Sequence, residues 1–541
     1  MGTMFTTLHN LNGVHLAVIG PLDIIVVAFY MIGVLALGLY FTRKNKNTEE
    51  YFVAGRSYKG WVLGISMLST TISSITFLAF PAAAFALDWR MVVNNLMWPV
   101  GMVLACVFFI PFFRKGLATT AFEYLENRFG PLVSLYGAFT FIILEILRMS
   151  VILYLVSLAL SSLTGFPINS VIIVIGLAVG IITVLGGFEA VIWTDVVQAF
   201  ILWGSGILCL ILIITKLSGG LGEVFQVGLA NGKFHLGDMR FDLASRTLWT
   251  MLMLGLWDSV SNFTTSQHVV QRYIAAKSLR EARKGAILAG FLCVPTWLFF
   301  FFIGTAMWVF YHVNPDPKVS AMPADQVLSY FILNNFPVGC IGLAVAGIMS
   351  AAMGALQASV NGLSTVTCTN IIRKYFVKDK NDKYYVRLAR ICAASYGIIM
   401  ILGSLFFRML PNNESVVNLQ YIMSSLFGGC VTSFFLLGFL TTKTNYIPSI
   451  IALAASIILN TFLLLNSLGL VPEWMHVRVH EYWVNMLVNL FFVILAYGFS
   501  ALWKTREKNI SGLTIWTADA DSSGKDKSLK EHQTEYIKNI K

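Results

Sequence analysis

Charge is what this chain has least of. Only 12% of its 541 residues are Asp, Glu, Lys or Arg, about half the share found in ordinary soluble domains. With 57% hydrophobic residues and a mean hydropathy of +0.73, water-soluble domains are excluded and a polytopic membrane protein remains. Acidic residues are the scarcer sign, 27 against 38 basic. The formal net charge of +11 would suggest nucleic acid in a soluble protein, but here the excess falls in loops, where positive residues hold the cytoplasmic side. No nucleic-acid partner is implied. Seven cysteines, mostly inside apolar runs, keep neither metal-ligand nor disulfide spacing and read as small packing residues. The stretch before Leu22 lacks a basic n-region, so the first apolar run is expected to be its own insertion signal. No phosphate-binding loop or catalytic triad is visible, and neither a primary pump nor an enzyme is expected.

What is abundant is apolar sequence in lengths that cross a bilayer, roughly 20 residues each. The sequence predicts about thirteen spans. They cover about 22–41, 64–88, 92–113, 131–163, 170–185, 190–214, 248–270, 286–309, 340–366, 391–407, 416–440, 447–468 and 484–502. An external segment, 218–245, separates spans six and seven. Basic residues gather after odd-numbered spans, as at Arg43, Lys44 and Lys46, and at Arg272, Lys277, Arg280 and Arg283. That pattern puts the N-terminus outside and the C-terminus inside. The expected organisation is one integral domain over 1–503 and a disordered cytoplasmic tail over 504–541, whose mixed charges and few apolar residues cannot build a core.

Two spans are interrupted by polar residues. Span two reads GISMLSTTISSITFLAF over Gly64 to Phe80, with seven hydroxyls. These can bond back to a close-packed helix, or they can let a helix open and present carbonyls and hydroxyls to a solute. Span seven carries DSVSNFTTSQ, a band with Asp258, Asn262, Thr264, Thr265 and Gln267. The topology makes span two run outward and span seven inward, so spans two to six and seven to eleven (about 59–216 and 246–440) would be inverted repeats. Paired broken helices in corresponding positions point to a midplane binding site.

Several polar residues are out of place in lipid. Arg148 lies deep in span four, where a guanidinium needs a partner or a cavity. Glu145, three residues earlier on the same helical face, would explain it locally; the alternative is a fork that grips a substrate carboxylate bidentately. Asp195 closes GGFEAVIWTD and could hold a cation or cap a turn. In span nine, Gln357 and Asn361 share one face within a run of small residues suited to close helix approach. Asp258 fits a water-filled outer vestibule or a coupling acid.

The blocks SMLSTTISSITF, GGFEAVIWTDVVQ and FTTSQHVVQRY resemble the sodium/solute symporter family, nearest its bacterial sialic acid transporter branch, over roughly spans one to eleven. The resemblance implies an all-α leucine-transporter fold with a five-plus-five inverted repeat. It implies substrate contacts at Thr71, Ser73 and Thr76, a carboxylate-binding role for Arg148, and a family glutamine position occupied here by Asn95. It implies a sodium site formed by the carbonyls of Ser69, Ile72 and Ala351 and by two span-nine hydroxyls, which fall on Gly354 and Ala355. With those side-chain oxygens gone, water or Ser350 would have to complete the shell. A second sodium site would keep Asp195 but has Gln357 and Ala358 in place of serines. Asp258 stands where that branch has no acid, which raises the alternative of displaced or proton coupling.

The expectation is a cation-coupled secondary importer, with sodium as the coupling ion, in the cell membrane. It would move a small carboxylate-bearing sugar such as sialic acid by alternating access, with the lipid bilayer as its other partner. Cation binding would hold span two against span nine and complete the solute site. The alternatives are a symporter for another sugar or organic acid, an uncoupled or proton-coupled transporter, and a transporter-like sensor, for which the short charged tail offers no signalling domain.

Overall fold

The computed structural model describes residues 20–42, 47–115, 119–409, 428–502, 510 and 512–517. Among them every extended element is helical, and the one strand-like feature is an isolated bridge between Tyr58 and Ala276. Lipid dictates this, because a backbone without water must close its hydrogen bonds within each segment. Nine helices among the described residues are long and apolar enough to cross a membrane, and the bent pair Gly60–Thr71 with Ile75–Ala86 makes a tenth. One of the nine, Ile168–Thr215, is two helices joined at Gly187, whose φ 58 and ψ -161 break the helical path between spans five and six. A residue with a Cβ could not hold that conformation without strain.

Span seven is likewise a pair, Leu248–Thr265 and Gln267–Ala275, separated by the extended Ser266. The range expected for span eleven lies partly outside the described residues, and Val431–Leu440 is its described helix. Length and hydropathy therefore return fewer than the thirteen spans expected. Polar breaks and the Gly187 kink divide elements that a simple count merges or drops.

Both interruptions fall on the polar runs. In span two the first helix ends at Ile72 (φ -79, ψ 118), and the chain bends by 62° before Ile75–Ala86. Ser73 starts the second half: its Oγ accepts from the Ile75 N–H at 3.3 Å and its carbonyl from the Thr76 N–H at 2.9 Å. The start of span two is stitched to the end of span seven. The Tyr58 N–H donates to the Ala275 carbonyl at 3.2 Å, the Lys277 N–H to the Tyr58 carbonyl at 3.0 Å, and the Gly60 N–H to Glu281 Oε2 at 2.6 Å. The start of span two thus meets the end of span seven and the start of span eight.

Span two lies against span eight, Leu279–Val313, through positions that admit no side chain. A Cβ would come within 2.5 Å of the Glu281 carbonyl at Gly60, within 2.9 Å of the Gly285 carbonyl at Gly64, and within 2.2 Å of the Pro81 carbonyl at Gly304. Such close backbone approach supplies the dispersion contact that binds helices in lipid. At the far end of span two, Lys233 Nζ donates to the carbonyls of Phe85 and Leu87 at 2.7 and 2.8 Å, satisfying a helix C-terminus. Span one is pinned to the start of span nine: fully buried Asp23 accepts from the N–H groups of Gly339 and Gly342 at 2.8 and 2.6 Å. The tail expected to lack structure carries one docked turn. The Ile515 N–H donates to the Phe439 carbonyl at 3.0 Å, and the Tyr124 hydroxyl to the Leu513 carbonyl at 2.9 Å.

Candidate functional site

The break in span two faces Arg148. Its Nη2 donates to the Thr70 carbonyl at 3.4 Å, one of the carbonyls released where helix Gly60–Thr71 ends. Its Nη1 donates to Glu145 Oε1 at 3.2 Å and lies 3.3 Å from His268 Nε2. Glu145 is fixed from the other side by the Ser359 hydroxyl, which donates to Oε2 at 2.6 Å, and the second ring nitrogen of His268 stands 3.5 Å from Oε1. The local Glu145 pair and the broken helix are therefore both real partners of the arginine. Arg148 Nε has no hydrogen-bond partner among the described residues, and the side chain keeps 21% of its surface. A guanidinium with an uncommitted Nε–H is the kind of group that can take a planar acceptor.

Of the remaining expected substrate positions, Ser73 and Thr76 are buried in the break and Thr71 is half-buried beside Cys293. Asn95 is buried with its amide nitrogen unpartnered. Asp258 is not part of this cluster. It is half-buried on the Leu248–Thr265 helix, makes no hydrogen bond or ion pair among the described residues, and has Tyr482 of the last span as a charged-range neighbour.

A second buried cluster corrects the reading of Arg272 as a loop residue. Because span seven continues past Ser266 to Ala275, Arg272 sits inside the bundle with no exposed surface. Its Nη2 donates to Asp195 Oδ2 at 2.7 Å and its Nε to the Ser66 hydroxyl at 2.8 Å, while Ser66 donates to the same Asp195 oxygen at 2.6 Å. Its Nη1 bonds the His268 carbonyl. One oxygen of Asp195 is thereby committed to a protein cation. The other, Oδ1, is buried and unpartnered, and remains available to a ligand.

On span nine, Cys340–Val366, the expected cation position Gly354 faces Ser69 of span two. Ser69, Ile72, Ala351, Gly354 and Ala355 are all buried. Gln357 Oε1 accepts from the Thr194 hydroxyl at 2.8 Å. Asn361 Oδ1 accepts from Gln271 Nε2 at 3.0 Å. The carbonyls freed at the end of helix Gly60–Thr71 are suited to a hard cation, but span nine itself brings no hydroxyl at 354 or 355. Sequence reasoning missed His268, Ser66, Gln271 and Gln198. All four were in quoted blocks; for His268 and Gln271 the signal was their polar character in a segment whose helical continuation beyond Ser266 was not foreseen.

Residues 51–458 match the sodium:solute symporter family. This chain belongs to that family. It is 32% identical over 430 residues to the sodium/sialic acid symporter of Proteus mirabilis, covering 79% of this chain and 86% of that one. It is 31% identical over 441 residues to the sodium/sialic acid symporter of Aliivibrio fischeri, covering 81% and 86%. A solved Na+-coupled sialic acid symporter, captured substrate-bound and outward-open, superposes with a TM-score of 0.82 at 29% identity over 90% of this chain and 100% of that one. A nucleobase-cation-symport-1 family transporter shares the fold alone, with a TM-score of 0.53 at 15% identity over 84% and 94%. The fold is the leucine-transporter fold, and the chain is a multi-pass membrane protein of a sodium-coupled transport family.

Proposed function

We propose that this protein imports sialic acid, or a closely related carboxylate-bearing sugar, together with sodium by alternating access. The observation that carries the substrate assignment is Arg148, a half-buried guanidinium whose Nη2 meets the carbonyl end of a broken helix. A carboxylate placed on that guanidinium would take two parallel charge-assisted hydrogen bonds. In this proposal the hydroxyls of Thr71, Ser73 and Thr76 at the break, with the amide of Asn95, would meet a polyhydroxylated ring. The relatives in Proteus mirabilis and Aliivibrio fischeri, both named as sodium/sialic acid symporters, support the same choice.

Glu145 already neutralises part of the guanidinium and is itself held by Ser359, so an entering carboxylate competes with a resident one. In this proposal Ser69, Ile72 and Ala351 offer carbonyls to the co-transported sodium, and Asp195 Oδ1 is the remaining acidic oxygen nearby. The membrane domain spans 1–503, its repeats cover about 59–216 and 246–440, the N-terminus is outside, and the C-terminus is cytoplasmic. The lipid bilayer is its medium, nucleic acid is not a partner, and no covalent chemistry is involved.

Calorimetric titration of the purified protein with N-acetylneuraminate tests the substrate assignment. Saturable binding that is lost in Arg148→Ala, with no response to the neutral N-acetylmannosamine, is expected. Equal binding of both sugars would refute it.

A further inference from the structure

Span nine lacks two hydroxyls where the family resemblance places cation ligands, and the molecule brings oxygen to the same space from other helices. Three oxygens surround the point that a Cβ on Gly354 would occupy: Ser69 Oγ at 2.5 Å, the Ser69 carbonyl at 3.1 Å and Gln198 Oε1 at 3.1 Å. Gln198, on span six, has no exposed surface, and neither atom of its amide has a hydrogen-bond partner. A buried amide left unmet costs about 1 to 3 kcal/mol per group, and an ion bound to its oxygen removes part of that cost. Ser350, one helical turn before Gly354 on the same face, is also buried with its hydroxyl unpartnered. The Tyr30 hydroxyl of span one, which donates to Met353 Sδ at 3.5 Å, is the polar neighbour of both Gln198 and Ser350; it can accept from the Gln198 amide nitrogen and leave Oε1 free.

The electrostatics of the spot favour a cation. Helix Gly60–Thr71 ends here, so its free carbonyls and the negative end of its dipole meet at the break. All the ligating atoms are neutral hard oxygens, the class that alkali and alkaline-earth ions prefer. Gly354 is what makes room: a side chain there would collide with Ser69 Oγ.

We propose a sodium site between spans two, six and nine whose side-chain ligands are Ser69 Oγ, Gln198 Oε1 and Ser350 Oγ, in place of two span-nine hydroxyls. It rests on the sodium-coupled reading above and goes beyond it by drawing two of the three side-chain ligands from spans two and six and the third from Ser350 on span nine.

The test is equilibrium binding of radiolabelled sodium to the purified full chain without sugar, at ionic strength held constant with choline chloride. Gln198→Leu should weaken sodium affinity by about tenfold or more, as loss of ligand-shell groups does elsewhere. Ser69→Ala and Gly354→Ser should each weaken it. Gln198→Glu, which keeps the oxygen and the volume, should bind sodium at least as tightly as the parent, and that retention separates loss of a ligand from misfolding. Unchanged affinity in Gln198→Leu, or loss of binding in Gln198→Glu, would overturn the site while leaving sodium coupling intact. No sodium binding by the parent protein would remove both.

Discussion

Breaking the buried pair between Asp195 and Arg272 should cost far more than deleting it. Both side chains have no exposed surface and meet at 2.7 Å. Arg272 also holds Ser66 and the His268 carbonyl, so its charge is spread over two broken helices. In Asp195→Leu the guanidinium keeps two hydrogen bonds but loses its counter-charge in a low-dielectric interior. Such single removals cost about 3 to 5 kcal/mol. In the double variant Asp195→Leu with Arg272→Met no charge remains to be stranded, and replacement of a buried pair by apolar groups of similar volume ranges from neutral to stabilising by about 1 to 4 kcal/mol. The assay is unfolding of the purified protein in detergent against denaturant, with Asp195→Leu, Arg272→Met and the double variant side by side. The single variants should be much less stable than the parent, and the double variant should lie near it. If the double variant is as unstable as the sum of the singles, the two residues act independently and the ion-pair account fails.

Three other perturbations follow from the packing. Gly304→Leu should separate spans two and eight, because even a Cβ there meets the Pro81 carbonyl at 2.2 Å; the protein should lose its monodisperse gel-filtration peak, and normal folding would contradict the contact. Asp23→Ala strands the buried N–H groups of Gly339 and Gly342 at about 1 to 3 kcal/mol each, read as a lower unfolding midpoint, with Asp23→Asn recovering part of it. Lys233→Met removes the cap on the Phe85 and Leu87 carbonyls and should speed amide hydrogen exchange in the second half of span two without altering the first half; uniform exchange in both halves would show that the cap does not matter.

The sequence made the fold legible because lipid allows so few solutions. Apolar lengths placed most spans, and the hydroxyl run at 69–76 and the polar run at 258–267 marked both breaks. What it could not show was where span seven ended. The basic residue Arg272 resembles every other loop arginine in the sequence, and only the helical turn after Ser266, which carries it back into the bundle, reveals its partner on span six. Gln198 was hidden for a related reason. A lone glutamine in an apolar helix has no local partner to betray it, and its neighbour, Gly354, lies on another span. Glu145 was legible because its partner is three residues away, whereas His268 and Ser359 complete the same cluster from distant segments.

A sodium gradient should drive accumulation of a carboxylate sugar held by Arg148. Uptake of labelled N-acetylneuraminate into proteoliposomes tests it, with an inward sodium gradient, an inward proton gradient or none, in the parent protein and in Arg148→Ala. The account predicts accumulation above equilibrium with sodium alone and none in the variant. Equal uptake with and without the sodium gradient, or undiminished uptake in Arg148→Ala, would contradict it.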